Sequence, residues 1–541
     1  MDFEKFFPYP TVRAEQDEAI RFAMENLVDN GKRFVILELG TGCGKSGVGL
    51  TLGRLLREQL AVEEGFLPGA YFLTTQKILQ DQYVKDFGPG AGGTMRSIKS
   101  STNYRCNFHK DKNCNESQQE LKGADKSSKH FKACAFNCKY KLAKAEFLAS
   151  PESVTNFPYF MTESTFSGKT EPRQVLIVDE AHNIEPELSR FIEISVSEYF
   201  AQKVLKIDMP HINTQKQCLD WIKGPYMAKL NSHLLNIEML MAKYEGLAEK
   251  ITEFSNTSRQ IDLLKGHKTK LSTFLSVYEK DNWVMNINQG EGRAKRRIEF
   301  KAIDVAPFSE QYLFRMGQKV IMMSATILDH ESFCESLGIP MNEVAFISIP
   351  SPFPVANRPI LYAPVGRMSR GGIDETLPKL AEAVKAILEN HPNEKGIIHA
   401  HTFKIAHYIK KALRSRRILI HDSNNREEIL NKHINGKKPT VLISPSMTEG
   451  VDLKGDSSRF QIVCKIPFPY LGDKLCRKRM HKWSWWYPTQ TAKVIVQAVG
   501  RSIRSVDDTA ITYILDEDWG RFYGQNKKLF PQSFKDTIQK T

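Results

Sequence analysis

The sequence predicts an α/β protein with two parallel β-sheets. Short apolar runs bounded by turn residues alternate with longer amphipathic stretches, a pattern typical of buried parallel strands joined by crossover helices. Four of these runs lie in the first part of the 541-residue chain and four lie near its end: RFVILELG, GAYFLTT, RQVLIVDE and KVIMMSAT, then KGIIHAHT, PTVLISPS, RFQIVCKIP and AITYILD. Because the two sets are far apart in the chain, we expect two sheets rather than one.

Composition narrows the class of protein. Lys plus Arg exceeds Asp plus Glu by 76 − 62 = 14, which favours a polyanionic partner such as nucleic acid or an anionic membrane surface. The N-terminus lacks the pattern of a signal peptide, and no apolar run approaches the roughly 18 residues of a membrane span. We therefore expect a soluble intracellular protein with no membrane partner, cytoplasmic or nucleoid-associated in a prokaryote or virus and nuclear in a eukaryote.

Two segments interrupt the first set of strands. Residues 91–150 are rich in Ser, Asn, Lys and Gly and contain Cys106, Cys114, Cys134 and Cys138. The stretch from Cys218 to about residue 280 has apolar residues at spacings of three and four and no strand-like runs, which predicts a helical insertion.

A phosphate-binding turn follows the first strand. RFVILELG runs into GTGCGKS, and a glycine-rich turn between a strand and a helix lets backbone N–H groups surround a phosphate chain. We expect Lys45 to reach the β- and γ-phosphates of a nucleotide and Ser46 to ligate Mg²⁺, with Gly42 and Gly44 shaping the turn. The match to G-x-x-x-x-G-K-S is not literal, because Leu39 stands where that pattern has its first glycine.

Two carboxylates follow the third strand. RQVLIVDEAHN delivers Asp179 and Glu180 to the carboxyl end of an apolar run, which is where open α/β sheets place their ligands. Asp179 suits the coordination shell of Mg²⁺, and Glu180 is placed to orient or deprotonate an attacking water.

A third polar set lies near the end of the chain. QAVGRSIRS spaces Gln497, Arg501 and Arg504 three to four residues apart, which predicts that they share one face of a helix. Arginines placed in this way can cross a cleft and stabilise charge on a transferring phosphoryl group.

In order along the chain, these segments resemble the motifs of superfamily 2 helicases, and specifically those of the XPD/DinG family of iron–sulfur helicases. GTGCGKS and DEAH resemble motifs I and II, YFLTTQKILQDQ motif Ia, SATI motif III, GIIHAHTFKIAHYI motif IV, TEGVDLKG motif V and QAVGRSIR motif VI. FPYPTVRAEQDEAI resembles the family's Q-motif equivalent, with Arg13 and Gln16 at the adenine-contacting positions, and SPFPVANR resembles the start of its second lobe.

The resemblance implies two tandem RecA-like P-loop domains, the first carrying an iron–sulfur insertion and a helical arch insertion. It further implies that Ser324 and Thr326 couple ATP hydrolysis to strand movement, and that Glu449 and Asp452 sense the nucleotide from the second lobe. The expected ranges are 1–90, 151–190 and 301–350 for the first lobe, 91–150 for the iron–sulfur insertion, 191–300 for the arch and 351–541 for the second lobe.

The four clustered cysteines lie where this family holds a [4Fe–4S] cluster, and NYRC resembles the sequence around the family's first ligand. Four thiolates are the usual complement for such a cluster. The spacings, with seven, nineteen and three intervening residues, do not assign a cluster on their own. Zinc held by four sulfurs, with His109 or His130 able to replace a thiol, and a segment without metal are the alternatives.

The expected function is an ATP-dependent DNA helicase that couples Mg-ATP hydrolysis to translocation on single-stranded DNA and duplex unwinding, 5′ to 3′ by resemblance, in DNA repair or replication. Its expected partners are single-stranded and forked DNA, and we expect a monomer.

Residues 91–150 carry 12 Lys plus Arg against 5 Asp plus Glu, which suits phosphate contact. Trp483, Trp485 and Trp486 either line a strand path or pack between the lobes.

Two alternative functions remain open. One is an RNA helicase or a double-stranded DNA translocase with a zinc-bearing insertion. The other is a non-catalytic nucleic-acid-binding scaffold with a degenerate ATPase.

Overall fold

The computed structural model describes residues 3–290, 296–422, 425–445, 453, 455–503 and 505–539. Two parallel sheets are separated along the chain, which confirms the predicted α/β class. Across these residues, no helix combines the length and the apolar character needed to cross a membrane.

Elements of the first lobe and its insertions occupy the chain up to residue 349. The strands are β1 (Phe34–Leu39), β2 (Leu67–Thr74), β3 (Arg96–Ser97), β4 (Glu152–Asn156), β5 (Arg173–Asp179), β6 (Ile194–Ser197), β7 (Trp283–Asn288), β8 (Arg297–Ala302), β9 (Gly317–Ser324) and β10 (Val344–Ile349). The helices are α1 (Ala14–Met24), α2 (Lys45–Gln59), α3 (Lys77–Phe87), α4 (Cys114–Leu121), α5 (Lys129–Phe136), α6 (Lys139–Ala149), α7 (Phe157–Thr162), α8 (Ile184–Ile192), α9 (Glu198–Lys203), α10 (Gln215–Trp221), α11 (Met227–Tyr244), α12 (Ile251–Val277), α13 (Ala306–Tyr312) and α14 (His330–Leu337).

Elements of the second lobe follow. The strands are β11 (Ile360–Gly366), β12 (Gly396–His399), β13 (Ile418–Ile420), β14 (Val441–Ser444), β15 (Phe460–Val463) and β16 (Ile511–Asp516). The helices are α15 (Ile373–Asn390), α16 (Phe403–Leu413), α17 (Arg426–Asn435), α18 (Lys474–Lys482), α19 (Trp486–Val499), α20 (Asp518–Asn526) and α21 (Gln532–Lys535).

The first sheet brings three functional segments to one edge. Its strand order is β10-β1-β9-β5-β2-β4-β3, and every pairing is parallel. Every residue of β1, β5 and β9 is buried, because helices cover both faces of the sheet. Since β9 lies between β1 and β5, the P-loop, Ser324 and Asp179 follow three adjacent strand ends.

The second sheet has the order β11-β16-β15-β12-β14-β13, and its pairings are also parallel. The amphipathic helices α15 and α16 bury their apolar faces in its main core, which includes Leu380, Val384, Ile398, Ile405 and Ile443.

The cysteine-containing insertion is built from short helices. β3 pairs with β4 at the edge of the first sheet, so the chain leaves that sheet after residue 97 and returns to it at residue 152. Between these points lie α4, α5 and α6, joined by turns.

The second insertion is only partly helical. α10, α11 and α12 confirm the helical prediction for the stretch after Cys218, but β6, β8 and β7 form an antiparallel sheet within 191–300 that the sequence analysis did not predict. α12 contacts α4 of the first insertion, where Asp262 Oδ2 accepts hydrogen bonds from Gln119 Nε2 at 3.0 Å and from Lys122 Nζ at 2.7 Å. The two insertions therefore touch each other above the first lobe.

Candidate active site

The glycine-rich turn lies between β1 and α2. Gly42 and Gly44 have φ angles of 93° and 75°, a backbone conformation that glycine adopts without the steric cost of a side chain. Gly44 directly precedes Lys45, the first residue of α2, so unpaired N–H groups of the helix N-terminus face the turn. This geometry suits a phosphate chain.

Arg13 and Gln16 lie against the same turn. A Cβ atom on Gly44 would lie 2.4 Å from Gln16 Nε2 and 2.8 Å from a guanidinium nitrogen of Arg13. Gln16 is buried, and its Oε1 accepts a hydrogen bond from the Arg13 backbone N–H at 3.0 Å. The structure therefore places both residues beside the turn.

The segment that leads into the second lobe packs on the other side of this turn. A Cβ atom on Gly42 would lie 2.1 Å from the ring of Phe353. The Ser351 hydroxyl donates a hydrogen bond to the Thr41 carbonyl at 2.7 Å. Because this segment joins β10 to β11, the connection between the lobes is in direct contact with the P-loop.

The acid pair stands at the end of β5. Asp179 is buried, its Oδ2 accepts a hydrogen bond from the Tyr83 hydroxyl and its Oδ1 accepts one from the Glu180 backbone N–H, both at 3.0 Å. Burial, followed by the charge of Glu180, raises the pKa of Asp179 to about 6. Glu180 has a φ of 54°, which is uncommon for a residue with a side chain and is found most often at functional positions.

Ser46 and Asp179 fit a Mg²⁺ ion carried in with a nucleotide. Ser46 is the second residue of α2 and Asp179 is the last residue of β5, so the two side chains come from the phosphate-binding turn and from the acid pair. Hydroxyl and carboxylate oxygens are hard ligands of the kind that Mg²⁺ prefers. A cation at this site would also favour the ionised form of Asp179, which burial disfavours.

A line of polar contacts runs from the acid pair to the second lobe. His182 Nδ1 lies 3.4 Å from Glu180 Oε2 and 2.8 Å from the Ser324 hydroxyl. Ser324 Oγ accepts a hydrogen bond from the backbone N–H of Thr326 at 3.0 Å, and Thr326 Oγ1 accepts one from Gln497 Nε2 at 3.1 Å. Polar contacts thus join the ends of β5 and β9 in the first lobe to α19 of the second.

His182 is neutral in this chain of contacts. Burial lowers the pKa of His182 to about 4, and the positive charges of Lys493, Lys45 and Arg501 act in the same direction while Glu180 opposes them. The Asn183 amide donates a hydrogen bond to Nε2 at 3.0 Å, which leaves the single ring proton on Nδ1, facing Ser324.

The structure corrects the prediction that Gln497, Arg501 and Arg504 share one face of a helix. α19 ends at Val499 and Gly500 caps it, so Arg501 follows the helix rather than extending it. Arg501 is buried, and its charge helps lower the pKa of His182, so it faces the acid-pair side of the cleft. Arg504, Glu449 and Asp452 lie outside the described residues.

The four clustered thiols face one pocket of about 340 Å³ in the first insertion. Cys106 lies in the loop before α4, Cys114 is the first residue of α4, Cys134 lies within α5 and Cys138 caps α6. Cys114 Sγ and Cys138 Sγ are 3.8 Å apart, and none of the four is in a disulfide. Burial, followed by the nearby Cys138, raises the pKa of Cys114 to about 12.

The donor set of this pocket suits a soft metal centre, although the side chains are not drawn together around one. Within the described parts of the chain, no three His, Cys, Asp or Glu side chains are arranged to hold a metal ion. His130 Nε2 is engaged with the Ser117 hydroxyl at 2.9 Å, and His109 Nε2 lies 3.2 Å from Glu120 Oε2. Both imidazoles therefore have other partners, which favours the four sulfurs as the ligand set.

The tryptophans between motifs V and VI pack at the boundary between the lobes. Trp483 is buried in a cluster with Val284 and Ile303. Trp485 Nε1 donates a hydrogen bond to Glu335 Oε2 of α14 at 2.7 Å. Nearby, Arg479 of α18 pairs with Glu185 of α8 at 2.6 Å. Trp483 therefore packs between the lobes, and the strand-path interpretation of the half-buried Trp485 and Trp486 stays a prediction.

Two residues with functional potential were not singled out in the sequence. Tyr83 lies on the buried face of α3, and nothing in its sequence context indicates that its hydroxyl reaches Asp179. Phe136 is 90% exposed between Cys134 and Cys138. An aromatic residue between two clustered cysteines ordinarily predicts packing, so its exposure could not be foreseen.

The arrangement defines a class of protein: two RecA-like lobes with a P-loop and an acid pair in the first, and an arginine-bearing segment of the second facing them. Comparisons with known proteins agree. The family described as "Type III restriction enzyme, res subunit" matches residues 10–209, and "Helicase C-terminal domain" matches residues 387–537.

Relatives and solved structures extend this agreement. The chain is 25% identical over 239 residues to the ATP-dependent DNA helicase DinG of Photobacterium profundum, an alignment that covers 40% of this chain and 34% of DinG. It is 20% identical to a probable ATP-dependent helicase of Methanocaldococcus jannaschii, with 96% and 93% of the two chains covered. A solved structure named "XPD_Helicase" has the same fold, with a TM-score of 0.64, 16% identity and coverage of 98% and 100%.

These similarities support an assignment to the XPD/DinG-like helicases of superfamily 2. The chain spans about a third of the length of DinG and of the related YoaA of Escherichia coli.

Proposed function

We propose that the protein is an ATP-dependent DNA helicase that couples Mg-ATP hydrolysis to translocation on single-stranded DNA and to duplex unwinding, in the 5′ to 3′ direction, in DNA repair or replication. The likeness to the ATP-dependent DNA helicase DinG supports the reaction and the DNA substrate. The observation that carries the proposal is the line of polar contacts from Glu180 through His182, Ser324 and Thr326 to Gln497.

The residues of the cleft divide the hydrolytic work among them. The N-terminus of α2 and Lys45 would bind the β- and γ-phosphates, with Ser46 and Asp179 holding Mg²⁺. When bound, Mg²⁺ neutralises charge on the phosphates. Glu180 would accept a proton from the attacking water, while Arg501 and Arg504 would approach the γ-phosphate from the second lobe.

Contacts on the γ-phosphate side of the cleft would couple ATP hydrolysis to movement of the lobes. Gln497 of α19 is hydrogen-bonded to Thr326, so a shift of the second lobe changes the surroundings of Ser324 and His182. Since His182 also lies beside Glu180, closure of the lobes and positioning of the base would occur together. A step of one lobe relative to the other would accompany each hydrolysis cycle.

A nucleotide-site variant tests the proposal. Lys45→Ala should abolish DNA-stimulated ATPase activity and the unwinding of forked DNA, while Lys385→Ala, which removes an exposed lysine of α15, should retain both. Wild-type activity in Lys45→Ala would refute the assignment. Unwinding rates on forked DNA and on an RNA duplex decide the substrate. Unwinding rates on 5′-tailed and on 3′-tailed DNA decide the direction.

We propose in addition that the first insertion holds a [4Fe–4S] cluster on Cys106, Cys114, Cys134 and Cys138. Four thiols facing one pocket support it, as do the alternative partners of both nearby histidines. The insertion is rich in lysine, and Phe136 stands exposed beside the ligands, so the same surface suits contact with a DNA strand.

Anaerobic purification with iron, sulfide and zinc analysis tests the cluster. A broad absorption band near about 400 nm with stoichiometric iron and sulfide is expected. A colourless protein carrying zinc would support the zinc alternative and contradict the cluster.

A further inference from the structure

Tyr83 reaches the candidate Mg²⁺ site from outside the P-loop and the acid pair. It lies on α3, and its ring is buried against Phe72 and Phe87, with ring centroids 5.8 Å away in both cases. Its hydroxyl donates a hydrogen bond to Asp179 Oδ2 at 3.0 Å. A hydroxyl from α3 therefore holds one oxygen of the carboxylate that fits Mg²⁺.

The carboxylate of Asp179 is fixed from both sides. Oδ1 accepts the Glu180 N–H at 3.0 Å while Oδ2 accepts the Tyr83 hydroxyl. Each carboxylate oxygen has two lone-pair directions, so one direction on each oxygen is used and the other is left for a ligand. The orientation of the carboxylate toward the P-loop thus depends on a hydrogen bond at each oxygen.

The position of the Tyr83 hydroxyl is itself fixed by packing. A buried hydroxyl costs free energy unless it is hydrogen-bonded, and the ring contacts with Phe72 and Phe87 leave this one facing Asp179. Residues that hydrogen-bond metal-ligating carboxylates commonly change metal affinity or activity by about 10- to 100-fold when they are replaced.

We propose that Tyr83 is a positioning residue that sets the affinity of the nucleotide site for Mg²⁺, by holding the Asp179 carboxylate in the orientation the ion requires. The proposal rests on the proposed ATPase function and identifies a residue outside the motifs that determines its metal requirement. Tyr83 acts through Asp179 rather than on the nucleotide or the reacting water.

The test is Tyr83→Phe, which keeps the ring and removes only the hydroxyl. Binding of a fluorescent, non-hydrolysable ATP analogue is titrated with Mg²⁺, and in parallel without metal in the presence of EDTA. The Mg²⁺ concentration for half-maximal binding should rise by about tenfold or more, whereas metal-free binding should be unchanged. The Mg²⁺ dependence of the ATPase activity should shift by the same factor.

Tyr71→Phe is the matched control. Tyr71 is also a buried tyrosine of the first lobe, and its hydroxyl donates to the Glu171 carbonyl at 3.0 Å, away from the metal site. It should leave the Mg²⁺ dependence unaltered at a similar cost in stability. An unchanged Mg²⁺ dependence in Tyr83→Phe would overturn the proposal.

Tyr83→Leu separates the hydroxyl from the ring. It should show the same rise as Tyr83→Phe; a rise in the leucine variant alone would assign the effect to ring packing and overturn the inference. The binding measurement needs no hydrolysis. A wild-type protein that binds the analogue with Mg²⁺ but does not hydrolyse ATP would contradict the proposed function and still leave the role of Tyr83 decided by the titration.

Discussion

The nucleotide site and the four-cysteine insertion are supported by very different amounts of structure. The strands that carry the P-loop, Ser324 and Asp179 are buried along their whole length. In residues 99–150, by contrast, Cys114 and Phe147 are the buried apolar side chains among the described residues, and Phe147 packs on Tyr71 of the first sheet rather than within the insertion.

This difference indicates how each region becomes ordered. The two lobes and the cleft between them form the proposed motor. Burial of apolar surface holds this cleft in place before any ligand binds. The insertion has too little apolar surface to do this, and the proposed metal centre would supply the cross-link that its short helices lack. Loss of a site residue in the motor should therefore remove chemistry and leave the fold, whereas loss of a thiol should remove local structure and leave the motor.

Glu180→Gln should have the largest effect on activity and almost none on folding. Removing a general base costs about 10²- to 10⁴-fold in rate, and Glu180 lies at the end of β5 rather than in the core. DNA-stimulated ATPase activity and thermal unfolding measure the two quantities. Glu375→Gln, an exposed position of α15, is the control. Hydrolysis within tenfold of wild type would remove Glu180 from the role of base.

Cys114→Ser should separate the two regions in the opposite way. We expect loss of bound iron, protease cleavage within residues 99–150 and loss of forked-DNA unwinding, with DNA-independent ATPase activity retained, because the first sheet does not depend on the insertion. Cys218→Ala replaces a buried cysteine of α10 and is the control. This variant should keep the iron bound in the insertion and should still unwind forked DNA. If the insertion stays protease-resistant after the iron is lost, its fold does not depend on the metal, and the proposed difference between the two regions is wrong.

The sequence predicted the motor better than the insertions for a physical reason. Strands buried on both faces are continuous apolar runs, so β1, β2, β5, β9, β12, β14, β15 and β16 could all be found. The edge strands β10, β11 and β13 are only partly buried and were not predicted. In the second insertion, β7 and β8 depend on pairing with each other, which apolar periodicity does not reveal.

The candidate site was predictable where spacing along the chain decides it. Lys45, Ser46, Asp179 and Glu180 follow strand ends, and parallel strands bring such ends to one edge. The helical face expected for Gln497 and Arg501 was wrong because Gly500 ends α19. The contact between Tyr83 and Asp179 spans 96 positions of sequence and depends on how α3 packs.

Gln497→Ala tests the connection between the lobes with a smaller expected effect. It removes the hydrogen bond to Thr326, whose net contribution of about 0.5–1.5 kcal/mol corresponds to a roughly 2- to 10-fold change. We expect fewer base pairs unwound for each ATP hydrolysed, measured from the two rates on the same forked DNA. Gln525→Ala, on the exposed side of α20, should keep the wild-type ratio. An unchanged ratio in Gln497→Ala would show that this contact does not couple the lobes.

The smallest effect concerns acid, which should weaken the motor core through its buried histidines. His433 is fully buried, with Nε2 donating to the Ser457 carbonyl and Nδ1 accepting from the Thr440 hydroxyl, both at 2.9 Å. Burial lowers the pKa of His433 from 6.5 to about 4. Because the unfolded chain takes up the proton first, this contribution to stability is complete above pH 6.5 and falls progressively as the pH drops toward 4.

At pH 5.5 the loss amounts to roughly 1.4 kcal/mol relative to pH 7.5, which lowers a melting temperature by roughly 3 °C for a lobe of this size. Thermal unfolding of the second lobe at the two pH values measures it. His433→Gln cannot take up the proton, so its melting temperature should be lower at pH 7.5 but should change less between the two values. An equal decrease in the variant and the wild type would assign the acid sensitivity to other groups. If His433→Gln flattens the pH dependence, proton uptake destabilises the motor, whereas loss of metal is expected to destabilise the insertion. The two regions then differ in what unfolds them.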